Sequence, residues 1–111
     1  MAVDPSKVNF LHIRALRAVV DHGSFSGAGK VLGYTTSAIS QQISQLEKTL
    51  GVSLFERGPR SVTDTAAGEQ MYELGAGLLG SLAEIADKMN THSNGVLGRL
   101  RVTAAGSPPP S

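Results

Sequence analysis

Cysteine is absent from this 111-residue chain, which excludes disulfide scaffolds, thiolate zinc sites and cysteine nucleophiles. Long apolar runs are absent too. The longest, Leu74 to Ala83, falls far short of the ~18 residues a membrane span requires, so no membrane partner is expected. The N-terminal run MAVDPSKVNF carries an aspartate and a proline and no apolar core follows it at signal-peptide length, so a cytoplasmic location is expected. His12, His22 and His92 are scattered without metal-ligand spacing, and no Ser-His-Asp set or carboxylate pair converges. Neither catalysis, nor a metal, nor a cofactor is expected of this chain. At the usual ~100–200 residues per domain, the length accommodates one domain and an arm, with a modest core.

Net charge is nearly absent as well, at +1, but its distribution is uneven. Residues 1–63 hold seven Lys/Arg against four Asp/Glu, and residues 64–111 hold three against five. A basic first half joined to an acidic second half points to a different partner for each.

Four segments have helical periodicity. The first runs from about Val8 to Asp21, with Phe10, Ile13, Leu16 and Val20 recurring every three or four residues, and stops at His22-Gly23. Ser24 then reads as the N-cap of a short helix from Phe25 to about Leu32, ended by Gly33. Gly27 and Gly29 lie inside it, and glycine costs roughly 0.5–1 kcal/mol against alanine in a helix, so this helix is expected to be loosely formed. Thr35-Thr36 starts a third helix that runs to about Leu50. Val52 to Thr63 changes pattern and reads as two short strands around Gly58-Pro59-Arg60. Thr65 caps a fourth helix reaching about Thr91, some ~40 Å at 1.5 Å per residue, and Ser93-Asn94-Gly95 is expected to break it. Gly98 to Thr103 alternates like a strand that lacks sheet partners. The Pro-rich end after it is expected to be disordered.

The third helix is the most informative segment. At ~100° per residue, Ile39, Ile43, Leu46 and Leu50 share one face, and Ser37, Ser40, Gln41, Ser44, Gln45 and Lys48 lie opposite. Hydroxyls and amides on a slim helix suit base edges in a major groove, although any small helical bundle also has a polar face. The order helix, short helix, tight turn, helix, hairpin matches a winged helix-turn-helix. Arg57 and Arg60 flank Gly58-Pro59, and two guanidinium groups on one turn suit phosphate or minor-groove contact as well as simple solubility. On the fourth helix, Met71, Leu74, Leu78, Leu82, Ile85 and Met89 form a narrow apolar stripe opposite Glu69, Glu73, Glu84 and Asp87. Such a stripe resembles a coiled-coil seam and points to self-association, although amphipathic helices also fold such a stripe onto their own bundle. Gly75-Ala-Gly77-Leu-Leu-Gly80 satisfies the pattern GxGxxG, but inside a helical stripe with no preceding strand it carries no dinucleotide site.

Taken in register, Gly23-Ser24-Phe25, Ala28, Leu32, Thr35, Ala38-Ile39-Ser40, Gln42-Ile43, Leu46-Glu47, Leu50-Gly51, Leu54-Phe55, Arg57, Thr65 and Ala67-Gly68 closely resemble the N-terminal domain of LysR-type transcriptional regulators. The resemblance covers about Phe10 to Met89. It implies a mainly α fold: a winged helix-turn-helix over residues 1–64, three helices plus a two-stranded wing. A linker and dimerisation helix over 65–92 follows, and then a hinge and first strand of an absent effector-binding domain over 93–111. The implied function is sequence-specific binding of double-stranded DNA as a homodimer on an interrupted palindrome, with a tetramer open to the full-length protein. Any small-molecule effector belongs to the absent domain. Thr36, Ser37, Ser40 and Gln41 are the expected base readers, Thr35 and Gln45 secondary candidates, and Arg57 and Arg60 the grip on backbone or minor groove. Where the family often has Gln-Pro and Arg, this chain has Thr36-Ser37 and Gln41, so the location of contacts carries over and the sequence read does not. Glutamine favours adenine. The competing reading is a truncated subunit that pairs with other regulators as an interaction module.

Overall fold

The computed structural model describes residues 2–58 and 62–97. The element order is a 3-10 turn at Pro5–Lys7, then α1 (Phe10–His22), α2 (Phe25–Leu32), α3 (Thr36–Leu50), β1 (Phe55–Arg57), β2 (Val62–Asp64) and α4 (Ala66–Leu97). Two compact units divide this chain, residues 1–79 and residues from Gly80 onward.

In the first unit every helix starts on a side chain that satisfies an orphan backbone amide. The amide of Leu11 donates to Asn9, that of Gly27 to Ser24, that of Ala38 to Thr35 and that of Gly68 to Thr65, at 2.9–3.1 Å. Each such cap contributes about 1 kcal/mol. The first three helices end on a glycine in the left-handed region. At Gly33 φ is +79°, and its amide donates to Gly29. There the turn between α2 and α3 reverses sharply without the steric cost that a Cβ would bring.

The core lies where α1, α2 and α3 meet. Ile13, Leu16 and Val19 from α1, Ala28 from α2, and Ile39, Ile43 and Leu46 from α3 are buried together with Leu54 and Phe55. Burial of each large aliphatic side chain stabilises by roughly 1.5–3 kcal/mol. β1 and β2 pair antiparallel, with Phe55 opposite Asp64 and Arg57 opposite Val62. The hairpin is tied back at its base: the Leu54 amide donates to the Glu47 carboxylate at 2.8 Å, the Thr65 hydroxyl to the Ser53 carbonyl at 2.7 Å, and the Thr65 amide to the Leu54 carbonyl.

Two expectations are corrected, and α2 shows what its glycines do. Phe10 is 49% exposed because it begins α1 ahead of the buried segment, and Val8 packs on the core in its place. α2 runs from Phe25 to Leu32 with both ends capped. Its Gly29 is buried, and a Cβ there would come within 2.5 Å of the Tyr34 carbonyl oxygen, so the missing side chain permits close packing of the following turn. α4 continues through Ser93-Asn94-Gly95 to Leu97, since a single interior glycine weakens a helix by about 1 kcal/mol without forbidding it. The glycines of the GxGxxG pattern sit well inside α4. The strand and disordered end read between Gly98 and Ser111 lie outside the described residues.

In the second unit, residues 80–97 continue α4. Glu84 and Lys88 pair across one turn at 3.3 Å, an exposed contact worth at most a few tenths of a kcal/mol. Among the described residues, no helix is long and apolar enough to cross a membrane.

Candidate nucleic-acid interface

Period 3.6 on α3 separates two surfaces. Ile39, Ile43 and Leu46 are buried, while Thr36, Ser37, Gln41, Ser44, Gln45 and Lys48 are exposed and Ser40 half-buried. Thr35 spends its side-chain oxygen on the Ala38 amide at 3.0 Å. It is exposed, but its first role is to start the helix.

The exposed side chains do not form one uniform face. Thr36, Ser37 and Ser40 line an open cleft with Phe25, Arg57, Gly58 and Val62. Gln41, Gln42 and Gln45 line a different one, with His12, Tyr34 and Ala38. The first cleft therefore gathers hydroxyls beside a guanidinium, and the second gathers amides beside an imidazole and a phenol. Sequence reasoning grouped Ser40 with Gln41. In the structure they line different clefts.

Arg57 is placed by aromatic packing. Phe55 and Arg57 are two apart on β1 and thus share one face of the strand. The ring of Phe25 lies under both: it meets Phe55 edge-on, with centroids 5.9 Å apart, and the Arg57 guanidinium carbon sits 4.9 Å from its centroid. Such an exposed cation–π contact is worth about 0.5–1 kcal/mol. Arg60, the other expected cation of the wing, lies outside the described residues.

In the second cleft, burial pushes the His12 imidazole below its usual pKa, because desolvation penalises the charged form. The side-chain oxygen of Gln42 is buried without a hydrogen-bond partner. Arg14 donates to the Tyr34 hydroxyl at 3.5 Å, a long contact. His12, Tyr34 and Phe25 were not singled out from the sequence as interface residues. Each reaches its cleft from another element, and periodicity within α3 carries no trace of them.

On α4, Met71 is half-buried and packs against the core of its own unit. Leu74 and Leu78 in the first unit, and Leu82, Ile85 and Met89 in the second, are 37–63% exposed. Five of the six residues of the apolar stripe are thus uncovered within a single chain.

Comparison with known proteins agrees with this architecture. The family model described as bacterial regulatory helix-turn-helix protein, lysR family, matches residues 10–69. The HTH-type transcriptional regulator PtxR of Pseudomonas aeruginosa is 35% identical over 97 residues, covering 87% of this chain and 31% of PtxR. The chain thus spans about a third of the length of this curated relative. Among solved structures, the BenM DNA-binding domain in complex with catB site 1 DNA superposes with a TM-score of 0.74 at 31% identity, covering 78% of this chain and 96% of that one. The CbnR DNA-binding domain in its DNA complex gives 0.73 at 29% identity, covering 78% and 99%.

Proposed function

The chain belongs to the LysR family of bacterial regulatory helix-turn-helix proteins, and we propose that it acts as the sequence-specific DNA-binding part of a transcriptional regulator in the bacterial cytoplasm, without catalysis. The observation that carries this reading is the placement of the exposed hydroxyls of Thr36 and Ser37, with the half-buried Ser40, beside a wing that presents Arg57. Thr36, Ser37, Ser40 and Gln41 read base edges in the major groove, with Thr35 and Gln45 in supporting positions. Arg57 and Arg60 supply the sequence-independent grip. DNA complexes of the BenM and CbnR domains, which share the fold, support double-stranded DNA as the partner. The competing reading, an interaction module that only pairs with other regulators, draws no support from these relatives.

Two copies associate through Leu74, Leu78, Leu82, Ile85 and Met89 of α4, whose exposed apolar surface supports self-association. Two-fold symmetry of such a dimer implies an interrupted palindrome as operator. No effector is assigned to this chain.

The test is a salt-dependent titration of the chain against a randomised duplex pool, with selection of the tightest binders. The expected result is an interrupted palindrome and an affinity that falls steeply as salt rises. No binding even at low salt overturns the assignment.

A further inference from the structure

We propose that Phe25 is a positioning residue for DNA binding, holding Arg57 against the start of α3 so that it grips a backbone phosphate there instead of reaching into the minor groove. The proposal rests on the DNA-binding reading above and deepens it.

Three observations carry it. The guanidinium of Arg57 is stacked on the Phe25 ring, 4.9 Å from its centroid, so the side chain lies back along its own domain and its reach beyond the wing is shortened. The ring is itself fixed, because Phe25 is the first residue of a capped helix and meets the buried Phe55 edge-on. Finally, the cleft into which Arg57 is folded is lined by the hydroxyls of Thr36, Ser37 and Ser40. A guanidinium next to short hydroxyl donors suits an anion with several acceptor oxygens, which a phosphate provides. Stacking on the ring leaves the guanidinium edge, with its N–H donors, free for that anion. Phe25 thereby converts a long, mobile cation into a fixed one beside the base-reading residues.

Phosphate contacts are blind to sequence, so the experiment uses a mixed-sequence DNA duplex, a second duplex with A·T-rich flanks, and the whole chain. Binding is titrated across salt for the unaltered protein and for Arg57→Ala, Phe25→Leu, Phe25→Tyr and the Phe25→Leu/Arg57→Ala pair, with thermal melts alongside. Arg57→Ala should weaken binding and reduce the salt slope by about one. Phe25→Leu, which keeps apolar bulk and removes the ring, should weaken binding roughly two- to fivefold, the ratio that an exposed cation–π contact represents. That loss should vanish in the Arg57→Ala background, whereas Phe25→Tyr should bind as the unaltered protein does.

Losses that add in the double variant overturn the positioning role, as does an Arg57→Ala variant that weakens only duplexes with A·T-rich flanks, the signature of a minor-groove reader. Should Phe25→Leu melt too low to measure, the Arg57→Ala slope and the Phe25→Tyr affinity decide alone, since Arg57 is exposed and its loss leaves the core intact. Failure of the unaltered chain to bind the duplex at low salt overturns the DNA reading itself. Binding with an unchanged slope in Arg57→Ala overturns only this inference.

Discussion

The hydroxyl of Tyr72, early in α4, donates to the carboxylate of Asp21 at the end of α1. Arg17, one turn earlier on α1, lies with its guanidinium carbon 4.7 Å from the centroid of the same ring and donates to the same hydroxyl at 3.4 Å. One tyrosine thus joins α4 to α1 by a hydrogen bond at its tip and a cation on its face.

Tyr72→Phe removes the hydroxyl and leaves the ring, so urea unfolding should show a loss of about 0.5–1.5 kcal/mol. Tyr72→Leu removes the cation–π partner as well and should cost more. If the two variants unfold at the same urea concentration, the ring face contributes nothing and only the hydroxyl matters.

A larger effect is expected at Gly68. It is buried, and a Cβ there would collide with the carbonyl oxygen of Leu54, itself an acceptor for the Thr65 amide. Backbone cannot step aside as a flexible side chain can, so Gly68→Ala should destabilise by about 1–3 kcal/mol despite alanine's better helix propensity. At Gly77, nothing lies within 4 Å of the added Cβ. There the propensity gain should prevail, and Gly77→Ala should stabilise by up to about 1 kcal/mol. Opposite signs in thermal melts of the two variants would bear out the packing argument, and equal signs would refute it.

The exposed stripe of α4 makes a prediction about mass. Glutamate at Leu78 and Ile85 places charge on a surface that is uncovered in the single chain. The fold of the first unit should therefore persist by circular dichroism, while sedimentation shows a shift from dimer to monomer. An unchanged mass would sink the proposed pairing surface.

His12 makes stability depend on pH. Its folded-state pKa is lowered by burial from the ordinary value of 6.5, so the unfolded chain binds this proton more readily than the folded one. Its contribution is fully present above the unfolded pKa and is lost as pH falls through that value toward the folded one. Unfolding midpoints should therefore drop modestly between pH 7 and pH 5, and His12→Gln should flatten that part of the profile. A midpoint that rises over the same interval would contradict the sign.

How much of this was legible in the amino-acid order depends on how far apart the partners lie along the chain. Ser24, Thr35 and Thr65 cap helices through bonds to residues three positions on, and Gly23, Gly33 and Gly51 end them in place. Both are local events, set by side-chain reach and by φ, so element types and most boundaries follow from the string of residues. The phase of Ile39, Ile43 and Leu46 likewise assigns the buried side of α3 without reference to what buries it.

What the order alone determined, then, was the winged helix-turn-helix, the polar face of its third helix and its unpartnered apolar stripe. Tertiary structure decided the rest: that Phe10 is exposed and Met71 turned to its own core, that Gly29 and Gly68 exist for backbone passing close by, and that the polar side of α3 lines one cleft with hydroxyls and another with amides. Each depends on a neighbour from another element, as with Phe25 and Arg57 or Arg17 and Tyr72. Helical periodicity reports which way a side chain points, and only the packing of elements determines what it meets there.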